Sequence, residues 1–317
     1  MIKMTGILQN LCGLLFMSKR GLYFADFFDG SGFGHVRRFE AFKDLLDDVE
    51  LELATQQKFE SVSKLINWEE DAGLLTEIIN QYEFITIDSF TANTEIVATF
   101  ENHPKPIFID DFRRRRHKRG LVIDGTVNAD KWRKKTGDIS CYGLDYSFVR
   151  KEFYMPPSTT IDYKYAFTFG GQDPKNYLQA FYASAPKDSI FLSTSQYPSY
   201  GELRNSGGIY WDTNISQFIN LISRSDIVVS TAGQTLYELH AMKKPFVSIV
   251  FAENHKEDGI GFMEQTGMKC IHDTGSMCQT VELTLRELSA CTVSYSNDQF
   301  DLENRYKLKQ KIMTFIS

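Results

Sequence analysis

Residues 22–49 read LYFADFFDGSGFGHVRRFEAFKDLLDDV. The stretch opens as an apolar strand, breaks into a glycine-rich loop and resumes with helical spacing, because Val36, Phe39, Phe42, Leu45, Leu46 and Val49 fall on one face. A strand, a tight loop and an amphipathic helix make one β-α unit. Glycines such as Gly32 and Gly34 let the backbone turn sharply, and the helix start that follows offers free N–H groups to an anion. The spacing matches neither the dinucleotide fingerprint nor the triphosphate-binding loop, which needs a lysine and a hydroxyl residue. His35 is the unusual member. At a helix N-terminus the macrodipole disfavours imidazolium, so a neutral ring able to accept a proton is expected there, the state a general base requires. The plain alternative is a histidine that only caps the helix or packs in the turn.

The same rhythm continues outward. Strands are expected at residues 49–55, 84–88, 106–111, 121–125 and 139–145, with helices over 69–82 and 91–102 between them. Pro156 and Pro157, followed by Ser158 and two threonines, cannot continue a helix and read as a linker. Beyond it the pattern restarts, with strands at 165–171, 189–195, 208–213, 226–231 and 245–251 and helices over 173–184, 214–225 and 233–242. The expected organisation is an α/β chain of two doubly wound domains, residues 17–155 and 161–317, facing a cleft. Residues 1–16 are expected to be a dispensable extension, with Met17 as a natural start. An amphipathic helix over 301–316 is expected to pack back on the first domain.

Bulk properties narrow the function classes. At 317 residues the chain exceeds one ordinary core. A net charge of -6 argues against nucleic acid as a partner, since affinity there rests on basic side chains. The five cysteines are scattered and form no C-x-x-C pair, as expected of reduced thiols in the cytoplasm. No apolar run approaches the roughly 20 residues needed to cross a bilayer, so no stable membrane insertion is expected.

Further motifs lie at strand ends, where the ligand crevice of an open α/β sheet forms. Gly170 and Gly171 end a strand, and Asp173 followed by Pro174 is expected to open a helix as its N-cap. Thr231, Ala232, Gly233, Gln234 and Thr235 run from a strand into a helix bearing Glu238, whose carboxylate can accept from a ribose diol or simply face solvent. Asn254 and His255 stand before another helix. Asp88 ends one strand. Asp110 and Asp111 end the next, and adjacent strand residues point oppositely, so only one can face the site. No cluster has transition-metal spacing. The basic run Arg113–Arg119 reads as a solvated loop, the alternative being a contact to an anionic ligand or to lipid headgroups.

Taken together, the chain resembles the two-domain nucleotide-sugar fold called GT-B, with two Rossmann-like domains. More narrowly, ADFFDGSGFGHVRR, ITIDSF, FIDDF, CYGLDYSFVRKEF, FGGQDPKN and AGQTLYEL with AENH occur in the order seen in the MurG-like UDP-sugar hydrolases of pseudaminic acid biosynthesis. That resemblance covers residues 21–267. It implies a UDP-sugar with its sugar under the first domain, near Gly32, Gly34, Arg38, Asp88, Phe90, Asp111 and Tyr146. The nucleotide would lie on the second domain, against Gly170, Gly171, residues 231–235, Glu238, Asn254 and His255. It further implies that His35 deprotonates a water attacking the anomeric carbon, with inversion and no metal; no cofactor and a monomer are expected. Where the family usually carries a tyrosine this chain has Phe90, and the diphosphate loop reads TAGQT. The alternatives are a glycosyltransferase on the same fold and a sugar-nucleotide binding protein without turnover.

Overall fold

The computed structural model describes residues 19–28, 31–59, 64–68, 72–111, 115–132, 140–154, 160–170, 173, 175–194, 201, 203–251, 255–290 and 302–317. Residues 1–18, the glycine Gly171, the prolines of the linker and Asn254 lie outside that set, and with them the expectations placed on the extension and linker.

Two parallel sheets organise the chain. The first has seven strands in the order β3-β2-β1-β4-β5-β6-β7: β1 (Arg20–Ala25), β2 (Glu50–Thr55), β3 (Lys64–Leu65), β4 (Phe84–Asp88), β5 (Pro106–Ile109), β6 (Leu121–Asp124) and β7 (Ser140–Tyr142). The second has six in the order β10-β9-β8-β11-β12-β13: β8 (Tyr163–Thr168), β9 (Ser189–Ser193), β10 (Ile209–Trp211), β11 (Ser225–Thr231), β12 (Phe246–Val250) and β13 (Lys269–His272). Strand β4 is buried at every position and β1 at all but its first, as expected of parallel strands covered on both faces.

Each sheet reverses its winding once. After β1, β2 and β3 the chain returns to place β4 on the other side of β1, with Ala25 opposite Asp88. After β8, β9 and β10 it returns to place β11 beside β8. Such reversals open a crevice at the carboxyl ends of the strands, because the two connecting loops leave in opposite directions. The loop after β1 leads to His35 and β4 ends at Asp88. In the second sheet β8 leads to Gly170 and β11 to residues 231–235.

The helices are α1 (Gly34–Leu45), α2 (Ala72–Ile79), α3 (Thr94–Glu101), α4 (Ala129–Trp132), α5 (Tyr177–Ser184), α6 (Ile215–Ser223), α7 (Gln234–Ala241), α8 (Lys256–Thr266), α9 (Met277–Ala290) and α10 (Leu302–Ile316). Helix α1 buries Val36, Phe39, Phe42 and Leu45, and Tyr23 of β1 meets Phe39 and Phe42 edge-on at 5.4 and 5.3 Å. Each such side chain contributes about 1.5–3 kcal/mol on burial, so this stripe fixes the rotation of α1 and therefore the aim of His35. Leu308, Ile312 and Ile316 of α10 enter the same core, so the last helix packs on the first sheet.

One helix start differs from expectation. Helix α5 begins at Tyr177 rather than at Asp173, after Asn176 in the left-handed conformation (φ 57°). The Asp173 carboxylate still accepts from the Tyr177 and Leu178 N–H groups at 2.9 and 2.8 Å, so it caps the helix from the loop ahead of it. Strands β3 and β13 and helix α9 are additions that sequence patterning did not reveal.

The two sheets meet closely at α8. A Cβ on Gly261 would stand 2.2 Å from Val127 Cγ1, so only glycine permits this approach. Gln265 seals it by donating to the Val127 carbonyl and to Asn128 Oδ1. Among the described residues no helix is long and apolar enough to cross a membrane.

Candidate active site

Between the sheets lies a cleft of about 1500 Å³, walled by the loop and first turns of α1, by Phe90 and Asp111, and across from them by Gly170, residues 231–235, Glu238 and His255. His35 lines it from the first wall, only 3% exposed.

The ring is held from behind. Asp88, fully buried, lies with Oδ1 at 2.8 Å from His35 Nδ1. Arg38, one turn along α1, donates Nε to Asp88 Oδ2 at 2.8 Å and Nη2 to Oδ1 at 2.6 Å, and the Tyr23 hydroxyl donates to Oδ2 at 3.0 Å. Burial alone would raise the Asp88 pKa, but Arg38 and His35 outweigh it and hold the carboxyl far below the usual range. An ionised carboxylate only accepts, so the shorter contact favours Nδ1–H on His35, although Arg38 Nη2, a donor, also stands 3.1 Å from that nitrogen. In the neutral ring Nε2 then carries the free lone pair, which is the proton acceptor the cleft can use. Asp88 also stabilises the imidazolium formed when Nε2 takes a proton.

This arrangement corrects one expectation. Asp88 was expected beside the substrate, yet it does not line the cleft. It sits behind His35, because the register of β1 and β4 sets its carboxylate under the first turn of α1. Arg38 and Asp111 do line the cleft, and Arg38 Nη1 donates to Asp111 Oδ2. Of the aspartate pair, Asp110 turns inward toward His117, whose Nε2 is 3.6 Å away. Tyr146 is a second correction. It occupies the 3-10 turn Leu144–Tyr146 and packs against the core of the first sheet, away from the cleft.

Phe90 stands edge-on to the His35 ring at 4.7 Å. Its loop is fixed by Asp26, whose carboxylate accepts from the Phe90 and Thr91 N–H groups and from the Ser89 and Thr91 hydroxyls. Phe27, Phe33 and Phe59 extend the aromatic wall, with ring centroids 5.0–6.2 Å apart. Gly32 (φ 73°) and Gly34 complete the rim before α1.

The opposite wall is built differently. Gly233 precedes α7 at φ 141° and ψ -158°, a conformation essentially reserved for glycine, and residues 231–235 at this helix start line the cleft. A Cβ there would lie 3.9 Å from His255 Nε2, which places His255 beside this loop. Burial lowers the His255 pKa and favours the uncharged ring. Glu238 is buried and accepts from Arg150 Nε and Nη2, at 3.0 and 2.7 Å, through Oε1. Burial raises its pKa while Arg150 opposes the shift.

Sequence reasoning missed three participants. Tyr23 supports Asp88, Arg150 holds Glu238, and Asp258 of α8 lines the cleft with the Tyr237 hydroxyl donating to Oδ1. Burial, reinforced by Asp111 and opposed by Tyr237, pushes the Asp258 pKa to about 7. A strand-end or helix-start rule could have flagged Asp258, three residues beyond His255. The other two sit mid-strand and in the irregular stretch just ahead of the 3-10 turn Lys151–Tyr154, where no local signal marks them.

Two parallel doubly wound sheets around such a cleft define the GT-B fold, and solved structures of that class superpose along nearly the whole chain. The spinosyn rhamnosyltransferase SpnG, solved with spinosyn aglycone, is 9% identical, with a TM-score of 0.59 over 93% of this chain and 96% of that one. The UDP-GlcNAc 2-epimerase of Methanocaldococcus jannaschii, solved with UDP-GlcNAc and UDP, is 8% identical, with a TM-score of 0.55 over 93% and 99%. No protein-family model matches the chain. In sequence the chain is similar to the Helicobacter pylori (strain ATCC 700392 / 26695) pseudaminic acid cytidylyltransferase and UDP-2,4-diacetamido-2,4,6-trideoxy-beta-L-altropyranose hydrolase. The identity is 24% over 260 residues, covering 78% of this chain and 48% of that protein. The chain thus spans about half the length of the curated relative it matches.

Proposed function

We propose that the protein hydrolyses a UDP-linked amino or deoxy sugar, releasing UDP, in the synthesis of a nonulosonic acid of the pseudaminic type or of a surface glycan. The observation that carries this reading is a cleft-lining imidazole, backed by an ionised aspartate, facing a glycine-opened helix start. His35 Nε2 takes a proton from water as the water attacks the anomeric carbon. Asp88 steadies the resulting imidazolium, and the C–O bond to the diphosphate breaks with inversion. Negative charge accumulates on the departing diphosphate, where the N–H groups at residues 231–235 stabilise it, each well-placed donor contributing about 3 kcal/mol. Glu238 accepts from the ribose. The name of the Helicobacter pylori relative and the UDP bound in the Methanocaldococcus jannaschii epimerase support the substrate class.

A second reading has an observation of its own. The aromatic wall of Phe27, Phe33 and Phe59 extends the cleft beyond His35 and offers room for an acceptor, as a glycosyltransferase would need. Incubation with UDP-sugars in the absence of acceptor separates the two. Hydrolysis gives UDP and free sugar in equal amounts, and His35→Ala lowers that rate by about 100-fold or more, the scale of a positioned base. UDP released only when an acceptor is present assigns the transferase instead.

A further inference from the structure

The guanidinium of Arg150 spans the two walls. Nε and Nη2 both reach Glu238 Oε1 on α7, while Nη1 reaches Glu40 Oε2 on α1 at 3.2 Å. Glu40 is held in turn by Arg37, whose Nη1 donates to Oε1 at 2.6 Å. The plane of the fork is set by Phe153, with the Arg150 Cζ 4.9 Å from the ring centroid. One side chain therefore joins the helix that carries Glu238 to the helix that carries His35.

We propose that Arg150 is a positioning residue, which orients Glu238 to receive a ribose diol and ties that carboxylate through Glu40 to the helix bearing His35. The inference rests on the reading of Glu238 as the ribose acceptor. Both bonds from Arg150 fall on Oε1, which leaves Oε2 for a ligand in the cleft that Glu238 lines. A carboxylate this buried, deprived of its cation, takes up a proton or turns away, and in either state it accepts poorly from a diol. A planar fork is required, because an ammonium offers one point of charge and cannot hold Oε1 from two directions while reaching Glu40.

Calorimetric titration of wild type, Arg150→Ala and Arg150→Lys with UDP and with 2′,3′-dideoxyuridine diphosphate tests the assignment. Arg150→Ala is expected to weaken UDP by about tenfold or more while changing the dideoxy nucleotide by no more than about twofold, since that ligand has no diol for Glu238 to hold. Arg150→Lys, which keeps the charge and guards against a misfolded alanine variant, shows the same ribose-selective loss in smaller measure. Equal losses for both nucleotides overturn the inference and make Arg150 a phosphate contact or a purely structural residue. Wild type that binds neither nucleotide overturns the reading beneath it. Glu40→Gln tests the tie to α1: UDP affinity stays within about twofold while turnover falls several-fold, and unchanged turnover removes that half of the proposal.

Discussion

The two walls of the cleft handle charge in opposite ways. On the first, His35, Asp88, Arg38, Asp111 and Tyr23 form a closed network of side chains whose hydrogen bonds are made before any ligand arrives. On the second, residues 231–235 are small or uncharged, and the turn at Gly233 presents backbone instead. A proton acceptor must keep one tautomer and one orientation, which side-chain partners enforce. A diphosphate needs many modest donors at fixed places, which a helix start supplies without ionisable groups. Under the proposed function the difference matches proton chemistry on the first wall and anion holding on the second.

Removing the centre of the first network should have the largest effect. Asp88→Ala strips part-buried Arg38 and buried His35 of their shared carboxylate and is expected to cost about 3 kcal/mol or more of stability, read as a drop in melting temperature, together with loss of turnover. A variant that melts like wild type would show that the network is not fixed as described. On the second wall the comparable perturbation acts on backbone. Gly233→Ala makes only an ordinary contact, 3.9 Å from His255 Nε2, but takes a conformation forbidden to it, and is expected to cost about 1–3 kcal/mol and to weaken UDP while leaving the His35 network intact. Unaltered UDP affinity in a folded variant would separate the loop from the anion.

The smallest effect concerns Asp258, between the walls. The folded protein keeps its proton up to about pH 7, whereas the unfolded chain releases it near 3.8. Its contribution to stability is therefore full below 3.8 and fades as pH rises through about 7. Asp258→Asn keeps an acceptor for Tyr237 without the titration, so its melting temperature relative to wild type should rise across that window. A difference independent of pH would mean that Asp258 is not held protonated.

Much of the fold was legible because each buried strand is a short apolar run and each helix carries a stripe, both local signals. Strand β3 has two residues and α9 follows a mixed segment, so neither announces itself. In the site, the loops were legible and the partnerships were not. His35 and Asp88 are 53 positions apart, and Arg150 and Glu238 are 88 apart, distances at which patterning says nothing about which side chains converge. Asp88 and Tyr146 went astray for that reason: strand register carries one behind the histidine and core packing takes the other away from the cleft.

On the proposed reading His35 directs water to the anomeric carbon. Turnover of a UDP-sugar in heavy-oxygen water, without acceptor, tests it directly. The heavy oxygen is expected in the hydroxyl at C1 of the freed sugar, with unlabelled UDP and no appreciable label transfer by His35→Ala. Label in the diphosphate, or wild-type rates from His35→Ala, would contradict it.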